Sequence, residues 1–478
     1  MTLREISKEH VLDRIRFENP WWVDGNIEED YNEMPRRLYF ELFKPLVYER
    51  DIKRAVVLMG PRRVGKTVML FHQVQDLIDN GYDPRKIIFI TIDNPIYNNI
   101  YLERLFSFAK EATGMEDKDG WIIIYDEVQY LKDWEVHLKS LVDSYRKDKF
   151  IVSGSAATAL KFASTESGAG RFTDFLLPPL TFYEYITLKG LDRIIKPTNV
   201  EWWGKSSTFY SSSHINELNK HFINYINFGG YPEVIFSEKI QANPRRYIRQ
   251  DIVDKVLLRD LPSLYGITDT RELNSLFTTI AYNSGNEFSL EILSKQSQVK
   301  KDTLKKYIIY LEASFLIKQV KRVDQSGKRF KRENFFKIYL TNPSLRSALF
   351  SPIITTDASM GNMVETAIFA QWMHSEWFTP FYARWSNGEV DLVGLIQTLK
   401  PVWAVEIKWS NRYFEKPNEL KSLTKFCVEN EIDRPTVTTI DKEGVKEYKG
   451  LRFQFFPAAS YAYTVGRNTM DKKINNHF

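Results

Sequence analysis

The residues that first suggest chemistry are Gly60, Pro61, Arg62, Arg63, Val64, Gly65, Lys66, Thr67 and Val68, the first eight of which have the spacing G-x-x-x-x-G-K-[ST]. They follow the apolar run Ala55-Val56-Val57-Leu58-Met59 and lead into Met69-Leu70-Phe71, so the pattern sits where a strand turns into a helix. Gly60 and Gly65 allow backbone conformations that aim successive N–H groups at one anion. A helix beginning near Gly65 adds its positive dipole end. Lys66 reaches the β- and γ-phosphates in such a loop, and the Thr67 hydroxyl completes a Mg²⁺ shell. The chemistry implied is binding of ATP with Mg²⁺.

A second strand, Trp121-Ile122-Ile123-Ile124-Tyr125, runs straight into Asp126 and Glu127. Asp126 is placed to hold Mg²⁺ through water, and Glu127 to polarise the water that attacks the γ-phosphate. Lys66 and Glu127 are thus the expected catalytic pair for hydrolysis. A third strand, Phe150-Ile151-Val152, ends in Ser153-Gly154-Ser155 and can deliver a polar residue between the two motifs, Ser153 ahead of Ser155. Arg171 follows a glycine-rich loop. It reads equally as an arginine finger, in cis or across the interface of a homo-oligomer, and as the partner of a surface acid.

A separate constellation lies near the carboxyl end. Asp391 stands in Glu389-Val390-Asp391-Leu392-Val393, and Glu406 and Lys408 lie two apart in Val405-Glu406-Ile407-Lys408, on one face of a strand. An Asp at one strand end and E-x-K on the next is the PD-(D/E)XK nuclease arrangement, with Glu389-Val390 where the named motif has Pro. Asp391 and Glu406 would bind a second divalent metal, Lys408 would activate the attacking water, and Glu365 from a preceding helix would support the metal. The plainer alternative is an exposed ion pair between Glu406 and Lys408.

These groups need elements to hold them. The expected fold is α/β: a P-loop NTPase with a parallel sheet, of the type with an extra strand and a catalytic Glu, then a helical and winged-helix region, then an α/β restriction-endonuclease-like domain. The boundaries expected are a helical lead-in at 1–50, the P-loop ATPase at 51–188, a helical lid or linker at 189–266, a winged helix at 267–345 and the nuclease-like domain at 346–478. Residues 190–215 read as a polar surface connection. The winged helix rests on three helical patterns, around 276–281, 289–293 and 301–311, and two β-like runs, 315–320 and 335–340. From Lys295 to Lys337 there are thirteen basic residues against four acids, a surplus suited to the DNA phosphate backbone.

Composition narrows the class. A chain of 478 residues exceeds a single core, and 43% hydrophobic with 27% charged residues describes an ordinary folded protein. One cysteine, Cys427, excludes an intrachain disulfide and a cysteine zinc site and fits a reducing compartment. With no apolar leader and no membrane-length apolar run, a cytoplasmic protein without a membrane partner is expected.

Read together, GPRRVGKT (60–67), IIIYDEVQ (122–129), IVSGSA (151–156), LPPLTFYEY (177–185), GGYPEV (229–234), EVDLV (389–393) and VEIKWS (405–410) span nearly the whole chain. In this order they resemble the bacterial and archaeal ATPases that join an AAA-type P-loop domain to a carboxyl-terminal domain of formerly unknown function. The resemblance implies ATP and Mg²⁺ at Gly60, Lys66, Thr67, Asp126 and Glu127, and a winged helix with a restriction-endonuclease-like fold in the carboxyl half. Two readings stay open: an ATP-driven enzyme that cuts DNA, and a nucleotide-switched DNA-binding regulator or scaffold that cuts nothing. A small-molecule kinase fits the loop alone but not Asp126-Glu127 beside a large basic module.

Overall fold

Short runs of β-branched residues with no polar alternation need cover on both faces, and such runs build the first sheet. In the computed structural model, which describes residues 7–155, 170–202, 205–330, 334–395 and 400–477, they form β1 (Ala55–Met59), β2 (Ile87–Thr91), β3 (Ile122–Asp126), β4 (Lys149–Gly154) and β5 (Phe172–Leu176). The order is β2-β3-β4-β1-β5 and every pairing is parallel. β4 separates β1 from β3, so three strand ends bring the 60–67 loop, Asp126-Glu127 and Ser153 to the same carboxyl edge. Strand order switches beside β1, where open α/β sheets form their ligand crevice.

The amino-terminal helices cover the sheet's outer strand. Asn19 donates to Phe89 O and accepts from Phe89 N at 2.8 and 2.7 Å, imitating a neighbouring strand. The indoles of Trp21 and Trp22 both donate to Ile87 O, at 3.0 and 2.8 Å. This satisfies backbone groups that an edge strand would otherwise leave open.

The chain divides into two compact units, Met1–Pro178 and Pro179–Phe478. The break falls ten residues before the expected boundary at 188. Residues 181–188 belong to the second unit because Thr181 and Glu184 form a capping box that starts the helix Phe182–Leu188. Its Phe182, Tyr185 and Ile186 then join a core with Phe222 and Tyr225.

In the second unit, β6 (Lys196–Trp202) and β7 (Lys205–Ser211) pair antiparallel, so the stretch expected to be a surface connection is a hairpin. Helices follow at Ile215–Phe228 and Pro232–Phe236. Gly229 and Gly230 between them answer to packing: a Cβ on Gly230 would lie 2.6 Å from Asn342 Oδ1 and 2.8 Å from Ser344 Oγ. Gly230→Ala is therefore expected to cost about 1–3 kcal/mol, read as an earlier urea midpoint for the second unit with an unchanged slope.

After further helical segments between residues 238 and 265, the helices Thr270–Tyr282, Leu290–Ser297 and Lys301–Ala313 follow, with β8 (Glu287–Ser289), β9 (Ile317–Val323) and β10 (Phe335–Leu340). Then come β11 (Phe381–Trp385), β12 (Gly388–Leu395), β13 (Pro401–Glu406), β14 (Thr436–Thr439), β15 (Gly444–Tyr448) and β16 (Leu451–Pro457). All nine form one sheet, β15-β16-β14-β13-β12-β11-β9-β10-β8. The segments expected as separate domains at 267–345 and 346–478 are fused, because β9 pairs in parallel with β11 through Lys321↔Phe381 and Val323↔Ala383. Side chains alternate between two cores. Leu392 and Val405 pack with the helix Met360–Trp372, while Val393 and Ala404 pack with the helix Lys421–Glu429. Among the described residues no helix is long and apolar enough to cross a membrane.

Candidate functional site

At the carboxyl edge of the first sheet, Gly60 must be glycine: a Cβ there would lie 2.2 Å from Leu177 O. Arg63 and Gly65 take left-handed backbone, φ 66° and 94°, and the helix Lys66–Asp79 starts directly afterwards. Val64 is fully buried. Arg62 donates to the Tyr130 hydroxyl at 3.2 Å. Val68 is half-buried in the first helical turn. Lys66 is buried and donates to the carbonyls of Gly60 and Pro61 at 3.2 and 3.1 Å. The loop's own carbonyls thus hold the ammonium at the place where a loop of this kind presents it to phosphate.

Asp126, buried at the end of β3, accepts from the Thr67 hydroxyl at 2.7 Å on one oxygen and from the Ser153 hydroxyl on the other. Burial, and then the Glu127 charge, push the Asp126 carboxyl up to about 6, against the Ser153 and Thr67 hydroxyls and the Lys66 ammonium. Glu127 has φ 58°, a left-handed conformation that a glutamate holds only when its surroundings enforce it. Its N–H donates to Ser153 Oγ at 3.3 Å and its carboxylate accepts from Gln129 Nε2. Gln129 Oε1 in turn accepts from Ser155 N at 3.2 Å. The Ser155 hydroxyl is buried with no hydrogen-bond partner among the described residues. Gly60, Lys66, Thr67, Asp126, Glu127 and Ser153 therefore converge.

Arg171 does not join them. It precedes β5, its carbonyl accepts from Ala55 N at the start of β1, and its side chain pairs with Asp143 at 2.6 Å. The phosphate loop leaves the other end of β1, five residues on, roughly 16 Å away at a strand's rise per residue. Of its two readings, the partner of a surface acid is the one seen within its own chain.

Sequence reasoning missed Arg37, which is buried and donates to Val64 O at 2.6 Å and to Pro178 O at 3.0 Å. It also missed Gln129 as the holder of Glu127, although that residue closes the IIIYDEVQ stretch.

The second unit holds a cleft lined by Glu287, Lys337, Glu365, Arg384, Glu389, Asp391, Glu406 and Lys408, among others. Asp391 Oδ2 accepts from Ile407 N at 2.8 Å and from Lys408 Nζ at 3.3 Å, and Lys408 Nζ lies 2.8 Å from Glu406 Oε1. Glu406 and Lys408 are thus tied to Asp391 in a cleft, where the plainer reading had an exposed pair. Burial would raise the Asp391 carboxyl, but Lys408, Lys337 and the Ile407 N–H outweigh it and hold it below the usual range. Burial and the Asp391 charge push Glu406 up to about 7. Glu406 Oε2 is buried with no hydrogen-bond partner among the described residues.

Glu365, expected to support a metal, accepts from Lys337 Nζ at 2.9 Å and from the Tyr339 hydroxyl at 2.6 Å. Lys337 also meets Glu389 at 2.7 Å. This corrects the expectation that Lys337 serves phosphate binding: it is 3% exposed. Of the other basic residues in that stretch, Lys295, Lys300, Lys301, Lys305, Lys306, Lys318, Lys321, Lys328 and Arg329 are exposed and Arg322 is half-buried. Lys331 and Arg332 lie outside the described residues. Among the described residues no three His, Cys, Asp or Glu side chains stand around one point as a ready metal cage.

The family described as AAA domain matches residues 52–186, and a domain of unknown function (DUF8612) matches residues 219–356. An uncharacterized protein of Haemophilus influenzae is 23% identical over 331 residues, 68% of this chain and 76% of that protein. The uncharacterized protein MJ1544 of Methanocaldococcus jannaschii is 21% identical over 421 residues, 84% of this chain and 87% of that protein. The structure of the Aeropyrum pernix Orc1 protein in complex with DNA overlaps 69% of this chain and 95% of that one at 10% identity, with a TM-score of 0.33. The five-stranded parallel sheet, its phosphate-binding loop and the family match together make residues 52–186 an AAA-type P-loop domain.

Proposed function

We propose that this protein binds and hydrolyses ATP in its first unit, and that its second unit engages DNA and acts on it through a divalent metal at Asp391 and Glu406. The observation that carries the nucleotide part is Asp126 held between the Thr67 and Ser153 hydroxyls, with Glu127 next in chain. These residues fit a Mg²⁺·ATP complex: Arg63 and Gly65 turn the loop through left-handed backbone directly before a helix N-terminus, and Thr67 and Asp126 supply hard oxygen donors. Mg²⁺ there would neutralise charge on the β- and γ-phosphates. Lys66 would turn from its loop carbonyls to the phosphates, and Glu127 would accept the proton of the attacking water. Phosphate release from ATP by the full chain with Mg²⁺ tests this, and no release above the level of Lys66→Ala defeats it.

For DNA, support comes from the order of three helices and a strand pair at 270–340, which suits a winged helix, and from the exposed lysines of the third helix and β9. Lys305→Glu with Lys306→Glu is expected to weaken duplex binding about equally across sequences and to reduce its salt dependence. Equal affinity and salt slope in the variant would remove that helix from the interface.

For the cleft, the buried unpartnered Glu406 Oε2 beside Asp391 fits a cation. With Mg²⁺ or Mn²⁺ the wild type is expected to nick plasmid DNA, and Asp391→Ala and Lys408→Ala to lose that activity by at least about a hundredfold. The reading as a nucleotide-switched regulator or scaffold is favoured by one observation, that Lys408 already pairs with both Asp391 and Glu406. Plasmid left intact with either metal, with and without ATP, would select it.

A further inference from the structure

Lys337 is carried by β10, a strand of the three-helix module, and not by the strands that hold Asp391 and Glu406. Two carboxylates from different elements converge on its buried ammonium: Glu365, from the helix Met360–Trp372, at 2.9 Å, and Glu389, from β12, at 2.7 Å. The Tyr339 hydroxyl adds a donor to the same Glu365 oxygen that Lys337 meets. Carboxylates brought together in a buried place need a cation between them, and in metal sites that cation is the metal. Here the chain supplies it.

The charges of the cleft limit what else can enter. Among the described residues Glu287 pairs with Arg322 and Arg384, and Glu365 and Glu389 pair with Lys337, whereas Asp391 and Glu406 share the single Lys408 ammonium and so keep a net negative charge. The unfilled acceptor among the described residues of the cleft is Glu406 Oε2, on the carboxylate that shares Lys408 with Asp391. Resting on the proposal that this cleft is a metal site, we infer that it takes a single divalent cation at Asp391 and Glu406, and that the Lys337 ammonium stands permanently in the place of a second. Glu365 then serves as a positioning residue for Lys337 and is not a metal ligand. Because Lys337 lies on the strand paired with β9, this fixed cation comes from the module proposed to hold DNA.

The test is a count of bound Mn²⁺ by loss of its free-ion electron paramagnetic resonance signal, on the nucleotide-free full chain. Asp391→Asn is expected to bind one ion fewer than wild type, and Lys337→Met one more. Lys337→Arg, which keeps the charge, is expected to hold the wild-type number. Mn²⁺ is expected to raise the melting temperature of Lys337→Met by more than that of wild type, since only there does it fill the vacated position. A Lys337→Met protein that folds and binds no more Mn²⁺ than wild type overturns the inference. Two ions lost from wild type on the Asp391→Asn change overturn it as well, and decide the matter should Lys337→Met not fold. Equal Mn²⁺ counts in wild type and Asp391→Asn would instead defeat the underlying reading of the cleft as a metal site.

Discussion

Glu127→Gln is expected to bind ATP about as tightly as wild type and to turn it over at least about a hundredfold more slowly, whereas Lys66→Ala is expected to lose binding itself. The two differ because their contacts differ. The Glu127 carboxylate accepts from Gln129 and its N–H donates to Ser153, so the amide is nearly the same shape but a far weaker base. Lys66 is the buried cation at the loop's centre, on the carbonyls of Gly60 and Pro61. Its removal takes away the charge that phosphate replaces those carbonyls to meet. Fluorescent-nucleotide binding and phosphate release, measured on the same preparations, separate the effects. Wild-type turnover by Glu127→Gln would mean that another group takes the proton. Gln129→Ala is expected to fall between the two proteins in rate with binding intact, because it frees Glu127 to leave its pose without removing the base.

What could be read from sequence tracks how local each feature is. The phosphate loop, Asp126-Glu127 and Ser153 each sit at the end of an apolar run with a characteristic neighbour, and the insertion of β4 between β1 and β3 brings all three to one edge. For Arg171 the finger and the surface-acid partner stood level because chain order does not say at which end of a strand a residue stands; its pairing with the first residue of β1 puts it at the far end. The fusion of the two carboxyl-terminal segments depends on β9 meeting β11 in parallel, a pairing about sixty residues apart with no turn to announce it. Lys337 did leave a signal. It is the lone charge in Phe335-Phe336-Lys337-Ile338-Tyr339-Leu340, and a lysine inside such a run is either at an exposed edge or buried with a partner. Counting it with the surface lysines took the first option, and Glu365 and Glu389 are the second.

Arg37 left no such signal, and its replacement by methionine carries the other large expected effect. Arg37 precedes the loop by more than twenty residues, yet its two guanidinium nitrogens bind Val64 O inside the loop and Pro178 O at the end of the first unit. Peptide units are planar and trans, so drawing Val64 O toward Arg37 turns the Gly65 N–H the opposite way. That N–H begins the run of donors at the start of the helix Lys66–Asp79, where a phosphate would be held. Arg37→Met keeps the volume and removes the donors, leaving two carbonyls without this partner in a buried place. Hydrogen bonds to a charged donor are worth roughly 1.5–3 kcal/mol each, so a loss of about 2–4 kcal/mol in the stability of the first unit is expected. Nucleotide affinity is expected to fall at least about tenfold in the protein that remains folded, because Gly65 is freed to turn. Arg37→Lys can satisfy one carbonyl but lacks the fork that spans both, and should lie between. Urea unfolding followed with nucleotide titration at low denaturant distinguishes the two roles. Lowered stability with wild-type affinity would make Arg37 a clamp on the chain's exit at Pro178, whereas lowered affinity that Arg37→Lys partly restores would tie the guanidinium to the shape of the anion site.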